Sequence, residues 1–144
     1  MKDLRSLIKE VLETGYLLAL ASVDEGGPWV SDVIYISDSN LNLYFISRLE
    51  FRHSKAFEKN SQAAGAITAV EKPEGQSTGV QLAGTISKVS QIPADALVRY
   101  SQKRAGKNTW KLEPGDAWYK LTPTMFDLIY EPVFGYTKKT LKLT

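Results

Sequence analysis

Residues 16–37 read YLLALASVDEGGPWVSDVIYIS, and this stretch decides the fold class. Its first part, residues 16–23, is apolar on both faces, which is typical of a buried strand. The acidic, glycine-containing turn DEGGP follows, and residues 29–37 then alternate with a period of two. The stretch therefore predicts two strands joined by a turn.

Further strands are predicted on both sides of a basic central segment. The tripeptide DSN precedes the apolar run 41–47, so we expect a third consecutive strand and a meander. Gly84 lies inside a long alternating strand and indicates a bulge or a close approach of two backbones. The later strands are predicted at residues 63–70, 79–92, 117–123 and 125–131.

Three short helices accompany these strands. Apolar residues recur at helical spacing between Asp3, a predicted N-cap, and Gly15, a predicted stop. Residues 54–60 have room for two turns, and a third helix begins at Pro93 and ends at Gly106. The fold class is mainly β with α, and six or seven short strands favour a small barrel, because closure removes exposed strand edges.

The composition restricts the functions that the chain can have. At 144 residues it fits a single domain, residues 1–144, and its net charge of +2 is too balanced for wholesale binding to nucleic acid. With no cysteine and one histidine, thiolate catalysis is excluded and metal chemistry is not expected. Neither a signal peptide nor a membrane span is indicated, so we expect a cytoplasmic protein.

The segment YFISRLEFRHSKAFEKN, residues 44–60, gathers basic side chains where a strand gives way to a helix. A helix that begins near Arg52 would direct its first N–H groups and a planar guanidinium at one point, which suits a phosphate. Ser47 and His53 would add further donors, whereas Lys59 lies two turns along the helix and beyond their reach. Alternatively, the cluster is the solvated face of a short helix beside Glu58.

The order of these features resembles the pyridoxamine 5'-phosphate oxidase-like superfamily of FMN-binding split barrels. The resemblance covers residues 16–92 and lies in LLALASVDEGGPWVSDVIYI, LNLYFISRLEFRHSKAFEKNSQAAGAI and GVQLAGTISKV. The C-terminal FGYTKKTLKL is similar to an uncharacterised bacterial branch of the superfamily. The resemblance implies a six- to seven-stranded antiparallel split β-barrel with short flanking helices, FMN as cofactor, and a homodimer with the flavin between its subunits.

The resemblance also assigns residues to the cofactor site. Ser47 corresponds to a hydroxyl residue at the phosphate, and Arg52 with His53 to the basic pair that holds it. His53 replaces the usual lysine, which would make its charge depend on pH. Gln81 corresponds to a glutamine near the flavin and its ribityl chain. The strand that lines the isoalloxazine is assigned to Ser31, Asp32, Val33, Ile34 and Tyr35; alternatively, Val33, Ile34 and Tyr35 are ordinary core residues.

A predicted substrate site completes this assignment. Tyr100 and Arg104 share a helix face, and Asn108 follows the helix; their spacing resembles the residues that grip the substrate's phosphate in the oxidase. Alternatively, they belong to a charged helix end on the surface. Ile36 stands where the oxidase has a substrate-binding lysine, and its C-terminal Arg-x-His pair is absent, which argues against vitamin B6 oxidation.

Three functions follow from these observations. The first is an FMN-dependent oxidoreductase with an unidentified small substrate. The second is a split barrel that binds deazaflavin F420 or heme, or that binds flavin without turnover. The third is a nucleic-acid-binding module that uses the basic segment 99–111. Lys138 and Lys139 either approach the cofactor or substrate, or belong to a frayed, solvated tail.

Overall fold

A computed structural model describes residues 2–70, 75–104 and 111–143 of the chain. The helices are α1 (Leu4–Thr14), α2 (Arg52–Lys59), α3 (Ala94–Lys103) and α4 (Glu131–Phe134). The strands are β1 (Leu17–Asp24), β2 (Gly27–Ile34), β3 (Ile36–Ser37), β4 (Leu43–Arg48), β5 (Gln62–Val70), β6 (Thr78–Val89), β7 (Asp116–Tyr130) and β8 (Lys139–Lys142).

The strands form one antiparallel sheet that curls into a half-barrel. Seven of them follow the order β2-β1-β5-β6-β7-β4-β3, and β8 pairs with β7. The two ends of this path, β2 and β3, are consecutive in the chain and are separated by Tyr35 alone. Because the chain passes from one end of the path to the other there, the sheet must curl, and the predicted split-barrel fold is confirmed.

The predicted meander is confirmed in part: the third strand pairs with residues 36–37 of the predicted second strand, but that second strand breaks at Tyr35. β1 and β2 form the expected hairpin, in which Asp24 lies opposite Gly27. β4, however, pairs with β3 and β7 and not with β2. Sequence alternation showed that residues 29–37 are extended, but it did not show that the strand breaks at Tyr35 and changes its partner.

The C-terminal third also departs from the sequence-based expectation. The two strands predicted at 117–123 and 125–131 are one strand, β7, which pairs with β6 along its length and with β4 and then β8 on its other edge. The expected frayed tail is wrong, because Lys139–Lys142 pair with β7. The register shifts at Gly84 as expected, where a Cβ would lie 2.2 Å from the Thr122 carbonyl oxygen.

The helices α1 and α3 pack on two different hydrophobic clusters of the sheet. α1 is capped as predicted, with the Asp3 carboxylate accepting from the Ser6 N–H, and its apolar face joins the main core inside the curl. α3 begins at Ala94 and packs on a second cluster that includes Trp118. Its predicted end, Gly106, lies outside the described residues. No helix among the described residues is long and apolar enough to cross a membrane.

Candidate functional site

Helix α2 begins at Arg52 with no side chain to cap it. Phe51 occupies the N-cap position and makes no side-chain hydrogen bond, and the first turn contains no acidic residue. The helix forms there because Ala56 and Phe57 turn inward to the core while Lys55 and Lys59 face outward. Among the described residues no side chain caps its first N–H groups, and the helix dipole favours an anion at this end.

Arg52 is held on two sides by the hairpin of β1 and β2. Its Nε and Nη2 donate to the two oxygens of Asp24 at 2.8 and 2.9 Å. Its guanidinium carbon lies 4.3 Å from the centroid of the Trp29 ring. The side chain still keeps 37% of its surface exposed. Arg52 is thus a fixed guanidinium at the surface, and its predicted contact with phosphate stays a prediction.

An open groove of about 930 Å³ lies between α2 and the β1–β2 hairpin. Arg52, Lys55 and Lys59 line it from the helix and Asp24 and Glu25 from the turn. Lys59 therefore lines the same groove as Arg52, and its expected position beyond the reach of the helix start stays a prediction. Along the helix the three cations are spaced by three and four residues, which places them on one face.

Ser47 and His53 contact each other beneath α2. The Ser47 Oγ and His53 Nε2 atoms lie 2.6 Å apart, and both residues are 5% exposed. Burial lowers the pKa of His53 from its ordinary value, so the neutral ring is favoured. The Ser54 hydroxyl donates to Ser47 over 3.5 Å. The charged His53 donor predicted for a phosphate is therefore disfavoured here, and the pair fixes the strand end behind α2.

Ser22 is a buried hydroxyl that sequence reasoning did not single out. It is 2% exposed, and among the described side chains its Oγ is the buried polar atom without a hydrogen-bond partner. It lies opposite Trp29, the residue on which Arg52 stacks. The sequence gives no signal for an unpaired buried hydroxyl, since only the fold shows which partners a serine in an apolar strand has.

The predicted flavin-facing strand has two faces. Asp32 and Ile34 lie opposite Ala19 and Leu17 on the outer face of the sheet, while Ser31 lies opposite the buried Leu20. Asp32 also lines a second groove of about 450 Å³ with Tyr16 and Leu17. Val33 belongs to the main core. The five residues therefore do not form one surface.

Tyr35 lies at the point where β2 ends and β3 begins, and it is fully buried. Its hydroxyl donates to the Leu12 carbonyl at 2.8 Å, and burial raises the pKa of the phenol. The Lys103 ammonium donates to the Tyr35 carbonyl at 2.8 Å and lies 3.6 Å from the ring centroid. Protein groups thus occupy the hydroxyl and the carbonyl of Tyr35, which agrees with the alternative interpretation of Tyr35 as a core residue.

Gln81 is an exposed residue of β6, and β7 lies between this strand and the C-terminal strand β8. Its Oε1 accepts from the Lys138 ammonium at 2.8 Å. Its cross-strand neighbour Asp127 accepts a hydrogen bond from the Thr140 hydroxyl. The structure therefore brings together Gln81 and Lys138, both of which the sequence associated with the cofactor.

The predicted substrate residues are less accessible. Tyr100 is 1% exposed and packs edge-on against Trp118, with ring centroids 5.1 Å apart. Burial raises the pKa of its phenol, and the nearby Arg104 and Ile46 act in the opposite direction to a smaller extent. Asn108 lies outside the described residues. The predicted substrate contact of Tyr100 is not favoured by this position, because its side chain is buried against Trp118.

The family is shown by a match that covers most of the chain. The family described as pyridoxamine 5'-phosphate oxidase matches residues 4–130. The chain belongs to this family. The UPF0306 protein PM1958 of Pasteurella multocida (strain Pm70) is 28% identical over 89 residues. That match spans 61% of this chain and 60% of the relative, less than two thirds of its length, and it fits an uncharacterised branch.

Solved structures share the fold at low sequence identity. A heme binding protein from Mycobacterium smegmatis superposes with a TM-score of 0.77 and 15% identity, covering 99% of this chain and 59% of that one. General Stress Protein 26 from Bacillus anthracis str. Sterne gives 0.71 and 16%, covering 97% and 98%. An F420 reductase gives 0.65 and 17%, covering 82% and 94%. The fold therefore occurs in proteins named for different ligands.

Proposed function

We propose that this chain is an FMN-binding flavoprotein that acts as an oxidoreductase on a small substrate. One observation carries the proposal: an exposed, oriented guanidinium at the start of an uncapped helix, at the edge of an open groove. A dianionic phosphate suits both features, because arginine offers paired donors and the helix start offers N–H groups.

The residues that fit this cofactor fall into two groups, those that would bind it and those that would support the binding residues. Arg52 and the first N–H groups of α2 would hold the phosphate, and Ser47 with His53 would keep the strand end in place behind them. Gln81 and Lys138 supply polar groups on the outer face of the sheet. When bound, the flavin supplies the hydride or electron transfer. The chain then needs no separate nucleophile, and its own work is to bind, orient and exclude water.

We also propose a homodimer with the flavin between the subunits. Several large apolar side chains on β1 and β2 are exposed: Leu17, Val23, Trp29 and Val30. Val23 and Val30 belong to the face of the hairpin that points away from the core, beside Ala19 and Ala21. An apolar sheet face of this kind is typical of an interface.

F420 is the second candidate, because an F420 reductase shares the fold. Heme is supported in the same way by the Mycobacterium smegmatis protein. The contacts of this chain speak against histidine-ligated heme, since its one histidine is buried and its Nε2 faces Ser47. Flavin binding without turnover is a further alternative.

A nucleic-acid surface at residues 99–111 has less support. Tyr100, its predicted stacking residue, is buried, and Lys103 is turned towards Tyr35. Stacking and phosphate contacts require exposed side chains. Residues 105–110 of this segment, with the remaining aromatic residue Trp110, lie outside the described residues.

The visible spectrum of the purified protein tests the proposal first. Bound oxidised flavin is yellow, and heme or F420 gives a different spectrum.

Titrations with FMN, riboflavin and FAD then test the phosphate site. FMN should bind most tightly, by about 1.5–3 kcal/mol per charge-assisted phosphate contact. Equal affinity for riboflavin and FMN counts against it. Tight RNA or DNA binding with a steep salt dependence and no flavin binding would favour the nucleic-acid function.

A further inference from the structure

Asp24 occupies the Nε and Nη2 donors of Arg52, a side-on donor pair that also suits an oxyanion ligand. The contact is side-on and bidentate, at 2.8 and 2.9 Å, which is the geometry that arginine forms with carboxylates and phosphates alike. The pairing holds the pKa of the Asp24 carboxyl below its usual range, so the carboxylate stays charged at neutral pH. In the ligand-free chain, an internal anion therefore already occupies these donors.

The turn is built so that this contact can form. The Gly26 N–H donates to the Asp24 Oδ1 at 2.8 Å, which fixes the carboxylate. A Cβ on Gly26 would lie 2.7 Å from the Arg52 Nη2, so a larger residue there would press on the guanidinium. Trp29 covers one face of the same group. Three residues of one hairpin thus converge on one side chain of α2.

We propose that Asp24 is an internal competitor for Arg52, which lowers the affinity of the groove for phosphate groups and so determines which ligands bind. This proposal rests on the proposed function, because it concerns the same site. It goes further by giving a ligand-selective role to the carboxylate of the β1–β2 turn.

The charges of the groove make the competition effective. Its lining contains three acidic side chains, Asp24, Glu25 and Glu50, and three basic ones on α2. A ligand that is only a phosphate must replace the Asp24 carboxylate with an equivalent contact, so it gains little. A ligand with a large ring system adds apolar burial and can displace the carboxylate. The site therefore rejects inorganic phosphate and accepts a phosphate that is attached to a larger group.

The test is a set of binding titrations on single and double variants. Asp24→Asn keeps the oxygen that accepts from Gly26 but removes the charge, so FMN and inorganic phosphate should each bind about two- to fivefold more tightly, the effect of losing one exposed ion pair. Riboflavin, which has no phosphate, should bind as before. In the Arg52→Ala background, Asp24→Asn should have no effect, because the competitor acts only through Arg52.

Glu13→Gln is the matched control, since it removes the same charge from an exposed position of α1. Glu13 does not line the groove and makes no ion pair among the described residues, and its replacement should change FMN affinity by less than about twofold. Asp24→Ser provides a second test of the competitor, and thermal unfolding confirms that each variant is folded.

Each result decides between the proposals. If the native chain binds FMN but Asp24→Asn binds it equally or more weakly, Asp24 does not compete and this inference alone is wrong. If Glu13→Gln and Asp24→Asn strengthen FMN binding equally, the effect comes from the overall charge of the protein and the inference is again wrong. If the native chain binds neither FMN nor riboflavin, the proposed function fails and the inference fails with it.

Discussion

The Oγ of Ser47 and the Nε2 of His53 lie 2.6 Å apart, both residues are buried, and their contact joins the end of β4 to the first turn of α2. The imidazole is the only one in the chain. A charged ring there would lose its hydration and would face the positive end of the helix dipole.

This pair predicts an acid-sensitive contribution to stability. Burial lowers the pKa of folded His53 below its ordinary value of 6.5. Below that value the unfolded chain therefore binds more protons than the folded chain, and the free energy of unfolding falls as the pH falls. The slope from one such group is at most about 1.4 kcal/mol per pH unit. Urea denaturation between about pH 7 and pH 5 measures it.

His53→Gln is the comparison variant, because glutamine keeps a hydrogen-bonding group and does not titrate. The carboxylates contribute equally to both proteins, so the difference between their pH profiles isolates the imidazole. Parallel profiles would show that His53 does not have the lowered pKa that its burial implies.

We expect Lys103 to give the free energy of unfolding a second pH dependence, in the pH range that its own pKa sets. Burial, with a further contribution from the nearby charge of Arg99, lowers the pKa of Lys103 from 10.5 to about 8. Between these two values the unfolded chain binds more protons, so the contribution of Lys103 to stability rises with pH. Lys103→Met, which keeps an apolar stem, should flatten the profile of unfolding free energy between about pH 8 and about pH 9.5. An unchanged profile would contradict the burial of this ammonium.

The strand positions were predictable where alternation and turn residues agree. Asp3 and Gly15 mark α1, and DEGGP marks the hairpin, because capping and turn formation depend on neighbouring residues alone. The change of partner at Tyr35 was not predictable. It depends on α1 and α3, which contact its hydroxyl and its carbonyl from distant parts of the chain.

The candidate site likewise combines a feature that the local sequence shows with contacts that only the fold creates. Arg52 could be selected from the sequence, since a basic residue between a strand and a helix has a recognisable pattern. Its partners Asp24 and Trp29 lie more than twenty positions earlier, and nothing in their local sequence shows that they meet it. The burial of His53 and Tyr100 also depends on the fold, because a histidine or tyrosine on an amphipathic helix can face either way.

Gly84 provides a test of the close approach between β6 and β7. Its Cβ position lies 2.2 Å from the Thr122 carbonyl oxygen and 2.8 Å from the Pro123 Cα, both of which are backbone atoms. Gly84→Ala should therefore force the two strands apart and lower the unfolding free energy by about 1–3 kcal/mol. Thr85→Ala, at an exposed position of the same strand, should change it by no more than about 0.5 kcal/mol. Comparable losses in the two variants would contradict the close contact.

The last prediction concerns Arg52 itself and uses Arg99 as its counterpart. Each arginine pairs with an aspartate, Arg52 with Asp24 and Arg99 with Asp95, but only Arg52 lines the groove at the start of α2. If Arg52 holds the phosphate, Arg52→Ala should weaken FMN binding roughly ten- to a hundredfold, which corresponds to about 1.5–3 kcal/mol. Riboflavin binding should change little, because riboflavin has no phosphate.

The control variant Arg99→Ala removes the same charge elsewhere on the surface. It should change neither the FMN affinity nor the riboflavin affinity by more than about twofold. Fluorescence titrations with both ligands, together with circular dichroism to confirm folding, make the comparison. Equal effects of the two substitutions on FMN would mean that Arg52 acts only through the overall charge of the protein, and the phosphate site would have to lie elsewhere.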